Sequence, residues 1–261
     1  MKKMPVLFVG HGNPMNALDK NSPFNQNFRQ TTQTFEKPKA ILMISAHWYS
    51  SRLQVTSGEN PPMIYDFHGF PEELSQVQYP AQGSPELAEK VRSLLAPESV
   101  EMNPTRGFDH GAWTVLKYLY PDADVPVVQL SINRLQPAKW HFELAKKLAP
   151  LRDEGVLIIG SGNIVHNLRA ISWEHINQIG AGYDWAFAFR DEINQAIDVQ
   201  NDDLLVHYGQ LGENAELAVP TPDHYLPLLY VMALRKPNDE VAFFNDELMA
   251  GSLSMTSVLV G

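Results

Sequence analysis

The chain has 261 residues, 44% of them hydrophobic and 19% charged, enough apolar content to bury a sizeable core and too much for a disordered chain. Thirty acidic against twenty basic side chains give a net charge of −10, which argues against an electrostatic grip on nucleic acid or an anionic membrane surface. Cysteine is absent, so disulfides and thiolate ligands are excluded together, and any metal must be held by His, Asp, Glu or water.

Met1-Lys2-Lys3-Met4-Pro5 has the charged start of an export signal, but the apolar run behind it breaks at Gly10-His11-Gly12-Asn13-Pro14. It reads as a first strand over residues 5–9, ending on His11. Ser22-Pro23 is a helix-start pair, predicting a helix over 22–35. A second apolar run, residues 40–46, ends on His47. The stretch 59–83 carries Pro61-Pro62, Asp66-Phe67-His68-Gly69-Phe70-Pro71 and Tyr79-Pro80; it is long for a connection, and such loops are often functional.

Ser84-Pro85-Glu86-Leu87 opens a further helix, and Asp109 suits the N-cap of another that begins with His110. Residues 125–132 and 156–160 have the β-branched content of buried strands, with a helix between them from Pro137 that carries Trp140, Leu144 and Leu148 on one stripe. After the last of these strands, Gly160-Ser161-Gly162-Asn163 predicts a turn into a helix with His166 one turn in. Trp185, Phe189, Ile193 and Ile197 recur at spacing four. Prolines around Asp223-His224 lead into a helix over Tyr225–Leu234, and residues 251–260 alternate like a closing strand.

This alternation predicts an α/β fold: a single domain, 1–261, with a central mixed, largely parallel sheet covered by helices on both faces. No run reaches the roughly 18 to 20 apolar residues of a membrane span. With no export signal recognised, the expected location is cytoplasmic.

Ligands of open α/β sheets bind just outside the carboxyl ends of the strands. His11 and His47, delivered there from different strands, therefore suggest part of a mononuclear metal site, with either Asp223 or His224 as a third ligand and the other supporting it. His166 suits acid–base work, because an unperturbed imidazole titrates near neutrality. His110 sits where a polar side chain can point at a ligand, and His68 is an ambiguous candidate for the pocket. His141, His175 and His207 lie in polar helical segments and are expected to be exposed and structural.

The segments Gly10-His11-Gly12-Asn13-Pro14-Met15, Ser45-Ala46-His47-Trp48, Asp66-Phe67-His68-Gly69-Phe70-Pro71, Gly107-Phe108-Asp109-His110-Gly111-Ala112-Trp113, Gly160-Ser161-Gly162-Asn163-Ile164-Val165-His166-Asn167-Leu168 and Thr221-Pro222-Asp223-His224-Tyr225-Leu226-Pro227 occur in this order. Together they resemble the 4,5-DOPA extradiol dioxygenase family, a branch of the class III extradiol ring-cleavage dioxygenases, over essentially the whole chain. The resemblance implies metal ligation by His11, His47 and His224, acid–base catalysis by His166, and a further active-site histidine, His110, that contacts substrate or oxygen.

It also implies one divalent metal, Fe(II) for ring cleavage, with Zn(II) the alternative ion because three neutral histidines suit it as well. The implied partners are a small catechol such as DOPA and O2; DOPA would be cut at the 4,5 bond to seco-DOPA, which leads to betalamic acid. Arg106, Tyr225 and His68 are candidates for contacting an amino-acid or carboxylate tail. No nucleic-acid or membrane partner is expected, and the chain is expected to be a monomer or small homo-oligomer. Two other readings are a Memo-like, non-enzymatic metal-binding protein and a zinc-dependent hydrolase on the same scaffold.

Overall fold

Alternate residues of the central strands enter two different cores. Val6, Phe8, Leu42, Ile44 and Ile158 pack into one, and Leu7, Val9, Ile41, Met43, Leu157 and Ile159 into the other, all fully buried. Successive side chains of a strand point to opposite faces, so a sheet apolar on both must be covered on both. The structure, a computed structural model, describes residues 3–261. Helices Pro23–Thr31 and His110–Leu119 cover one face, and helices Pro85–Leu94, Ala138–Lys146, Asp184–Asp198 and Leu226–Met232 the other.

The strands in chain order are β1 (Val6–Gly10), β2 (Ala40–Ser50), β3 (Leu53–Thr56), β4 (Val100–Asn103), β5 (Val127–Asn133), β6 (Val156–Gly162), β7 (Val241–Phe244), β8 (Leu248–Met249), β9 (Leu253–Ser254) and β10 (Ser257–Val260). Eight form one sheet in the order β4-β3-β5-β2-β6-β1-β10-β7, while β8 and β9 pair separately. The four central strands, β5, β2, β6 and β1, run parallel; β10 is antiparallel to β1, and β3 to β5. The predicted mixed, largely parallel sheet with helices on both faces is therefore present. Across the β1–β10 seam, the Gly10 N–H donates to Ser257 Oγ at 3.1 Å.

Several local expectations are corrected. The first helix stops at Thr31 instead of running to 35, where the hydroxyls of Thr31, Thr32 and Thr34 bond to carbonyls three or four residues back, the competition by which Ser and Thr loosen helix ends. Strand β2 continues past residue 46 to Ser50, because pairing with β5 resumes at Tyr49 opposite Ile132 after an irregularity that begins beyond Ile44. His47 lies inside that irregularity.

No helix forms around His166. The backbone N–H groups of Asn163, His166 and Asn167 donate instead to the carbonyls of His224, Ala218 and Ser252, so this segment is extended, and the next turn is a short 3-10 helix at Leu168–Ala170. The closing strand is split into β9 and β10. The helix expected over Tyr225–Leu234 is a 3-10 turn, Pro222–His224, followed by the helix Leu226–Met232. Among the described residues no helix is long and apolar enough to cross a membrane.

His141 is fully buried, against the expectation of exposure. Its helix packs on Leu226–Met232, and Nε2 lies 3.1 Å from the Asn133 carbonyl while Nδ1 lies 2.9 Å from the Tyr230 hydroxyl. A carbonyl only accepts, so Nε2 carries the proton and Nδ1 accepts from Tyr230. His175, half-buried, bonds Ser172, and the exposed His207 pairs with Asp203.

Burial lowers the His141 pKa to about 4. The unfolded chain then binds a proton that the folded chain refuses, so the stabilisation is complete above pH ~6.5 and is lost as pH falls toward 4. Urea titrations between pH 7 and 4 are expected to show His141→Gln losing about 2 kcal/mol less stability over this range than the parent. Equal losses would show that the ring is not held neutral.

Candidate active site

The carboxyl ends of β1, β2 and β6, three neighbours in the sheet, deliver most of the site. His11 follows β1, with its N–H on the Gly162 carbonyl at the end of β6. His224 arrives from the Pro222–His224 turn, held by Asn163 N–H on its carbonyl. That carbonyl comes so close to β6 that a Cβ on Gly162 would lie 2.1 Å from it, which explains a glycine there. His166 lies just beyond β6, and His110 is the first residue of the helix His110–Leu119.

The irregularity in β2 that turns His47 is pinned from below. Ser45 Oγ donates to Asp109 Oδ1 at 2.6 Å and accepts the His47 N–H at 3.2 Å. The same carboxylate caps the helix through Ala112 N–H, as expected, and accepts from Gln129 Nε2; burial pushes its carboxyl pKa up. Gly111 follows directly, and a Cβ on it would stand 2.5 Å from Ser45 Oγ and 2.7 Å from His47 Cδ2. A side chain at 111 would displace the His47 ring.

Neighbouring oxygens settle where two imidazoles carry their protons. Ser161 Oγ donates to the Gly111 carbonyl at 2.6 Å, so at 3.0 Å it accepts from His11 Nδ1. Asp223 takes the Nδ1 proton of His224 at 2.5 Å. Asp66 stands 3.5 Å from His47 Nδ1. His11 and His224 thus present Nε2 as a bare lone pair, and the Asp66 carboxylate lies on the Nδ1 side of His47. The Nε2 atoms of His11 and His47 face each other at 3.1 Å, and the buried Nε2 of His224 has no hydrogen-bond partner among the described residues.

Two converging lone pairs repel unless a cation lies between them. Nitrogens ~2.0–2.1 Å from one ion and 90–110° apart are separated by about 2.9–3.4 Å. The observed 3.1 Å fits that range. The ring centroids of His11, His47 and His224 are 5.0, 5.0 and 5.2 Å apart, a nearly equilateral triangle. His11, His47 and His110 also bring one nitrogen each within 4.8 Å of one another, but the His110 ring lies against that of His47, centroids 3.8 Å apart. His224 completes the near-equilateral triangle of rings, while His110 is the residue whose nitrogen lies within 4.8 Å of those of His11 and His47.

Burial, then repulsion from neighbouring imidazoles, lowers the pKa of His11 and of His47 well below the usual value. Burial, followed by His224, brings His166 down to about 3. For Asp66, burial alone would raise the pKa, but the His110 hydrogen bond and charge outweigh it and hold the carboxyl at about 2. His11, His47 and His166 are thus held neutral at the heart of the centre, which disfavours an added proton there and suits a divalent cation.

His166 stacks flat on His224, centroids 3.4 Å apart and planes within 4°. A cleft of about 190 Å³ opens beside it, lined by Asn167, Leu168, Arg169, Pro220 and Thr221. On the other side, Phe67 meets the His110 ring edge-on at 5.8 Å and continues into Phe70, Tyr65 and Trp113.

Other candidates fall outside the centre. Tyr225 is fully buried with its hydroxyl on the Leu205 carbonyl, so it does not reach a substrate tail; the cause is its place at the start of a helix sunk in the core. His68 is exposed on its loop, and Arg106 stacks over Trp48 at 4.7 Å with Asp109 3.5 Å away. Asp223 accepts from His224 Nδ1, so of the two it is the imidazole whose ring lies beside those of His11 and His47. Sequence reasoning passed over Ser161 and Asp66. A serine between two glycines at a strand end was the only trace of the first, and a carboxylate 44 residues before His110 carried none of the second.

Similarity to known proteins covers nearly all of this framework. The family described as the catalytic LigB subunit of aromatic ring-opening dioxygenase matches residues 5–214. A 4,5-DOPA dioxygenase extradiol of Escherichia coli K12 is 44% identical, across 99% of this chain and 95% of its own length. One from Beta vulgaris is 38% identical, across 97% and 94%. A crystal structure of an uncharacterized Escherichia coli K12 protein superposes with a TM-score of 0.86 at 41% identity, covering 99% of this chain and 100% of that one.

The contact at Gly111 yields a test. Gly111→Ala is expected to weaken Zn(II) binding at least ~10-fold in a chelator-competition titration, the usual scale for disturbing a ligand's support, while the far-ultraviolet circular dichroism stays that of the parent. Unchanged affinity would mean that His47 takes no part in holding the ion.

Proposed function

The chain belongs to the class III extradiol family of aromatic ring-opening dioxygenases, and from that premise we propose that it cleaves a catechol such as DOPA at the 4,5 bond, giving seco-DOPA and through it betalamic acid. One divalent metal is held by His11, His47 and His224. The observation that carries this reading is the commitment of the His11 and His224 Nδ1 protons to Ser161 and Asp223, with the His11 and His47 Nε2 atoms 3.1 Å apart and the buried Nε2 of His224 without a partner among the described residues.

A bound Fe(II) supplies the Lewis acidity that eases catechol ionisation and the redox path to dioxygen; Zn(II) suits the same donors and supplies only the first. The protein's own residues handle protons and orientation. His166, kept uncharged by burial, accepts a proton from a catechol hydroxyl and returns one as the ring opens. Its flat stacking on His224 fixes the ring beside the ligand set, so no reorganisation precedes the transfer. His110 lies across the site against His47 and contacts substrate or oxygen. Phe67 and its aromatic neighbours offer an apolar wall for a flat ring and keep water from that side. Both atoms of O2 end in the product, so water is not a reactant.

Anaerobic reconstitution with Fe(II), followed by L-DOPA and air, is expected to give oxygen uptake equal to substrate consumed and a yellow ring-opened product, and Zn(II)-loaded protein neither. His166→Ala should lower kcat by roughly 10²–10⁴-fold with metal content unchanged. Absence of uptake with L-DOPA and simpler catechols alike would overturn the assignment.

A further inference from the structure

Asp66 is placed between two of the site's rings, one oxygen to each. It arrives on the loop over residues 59–83. Its Oδ1 accepts the backbone N–H of His110 at 2.9 Å and lies 3.0 Å from that residue's Nδ1, which makes no aligned hydrogen bond. Its Oδ2 lies 3.5 Å from His47 Nδ1. An ionised carboxylate only accepts, and a lone pair on either Nδ1 would face its negative charge at short range.

We propose that Asp66 is a positioning residue that sets the tautomer of His47 and His110 together, keeping both protons on Nδ1 and both Nε2 atoms bare. This rests on the proposed ligand role of His47. One carboxylate then couples the ring that holds the metal to the ring that meets substrate or oxygen, and His110 works as a hydrogen-bond acceptor toward a catechol hydroxyl. The aromatic wall shares this anchor, because Phe67 follows Asp66 directly and packs on His110.

Asparagine at this position separates the tautomer role from simple loop anchoring. Its one oxygen still accepts the His110 backbone N–H, which places the amide NH2 on the side of His47. An NH2 facing an Nδ1–H is relieved when the His47 proton moves to Nε2, the nitrogen proposed to face the ion. Two-bond 1H–15N correlation spectra of histidine-labelled protein, recorded before and after Zn(II) addition, read the tautomer of each ring.

The parent is expected to show Nδ1–H on His47 and His110 throughout. Asp66→Asn should show Nε2–H on His47 before Zn(II) is added and bind the ion ~10–100-fold more weakly. Nε2–H on either ring of the parent overturns the proposal without reference to any variant. So do unchanged tautomers and affinity in Asp66→Asn, which would leave the carboxylate as a loop anchor only. Failure of every catechol to turn over would remove the activity reading and leave this tautomer result standing.

Discussion

Every neutral imidazole carries one proton and one lone pair, and the centre depends on which nitrogen holds which. Ser161, Asp223 and Asp66 each occupy the Nδ1 side of a ring, so Nε2 faces inward at His11, His224 and His47. These oxygens come from a strand end, a 3-10 turn and a long loop, and the fold places them by placing their backbones. Ser161 is fixed as an acceptor only because its own hydroxyl is given to Gly111, which must be a glycine for His47 to lie where it does. Strand, helix start and the His47 ring are thus locked by a handful of short contacts.

Iron centres of the non-haem oxygenase kind often use two histidines and a carboxylate. Here the carboxylates stand one step further out, Asp223 behind His224 and Asp66 behind His47 and His110. Negative charge at that distance strengthens the rings as donors without neutralising an ion they hold. An ion held by three neutral donors keeps its full positive charge toward a catechol and acts as the stronger Lewis acid for it.

Much of this was legible in the sequence. The apolar runs ending on His11 and His47 announced buried strands with polar tips, and both rings lie at the carboxyl side of the parallel strands. Strand-end and helix-start positions made candidates of His166, His110 and either Asp223 or His224, which share no compact spacing with the first two, and the resemblance of the motifs gave His224, His166 and His110 their expected roles. What stayed hidden depends on distant partners. The extended path at His166 exists because its backbone groups bond to Ala218 and Ser252, and spacing within a segment carries no trace of that. His141 read as a polar surface residue; its burial follows from a tyrosine 89 residues later that satisfies its second nitrogen. Asp66 showed nothing of its two rings, because its function lies in where the loop lands.

The seam between β1 and β10 places the first histidine under the control of the final strand. Gly10 bonds Ser257 and packs so closely against the Met255 backbone that a Cβ on it would lie 2.5 Å away. During synthesis, His11 is made well before residues 255–257 and gains this support only after they have left the ribosome, and His224 also follows it by some two hundred residues. A growing chain therefore holds scattered histidines, and the ring cluster proposed to hold an ion exists only once these distant segments have folded together.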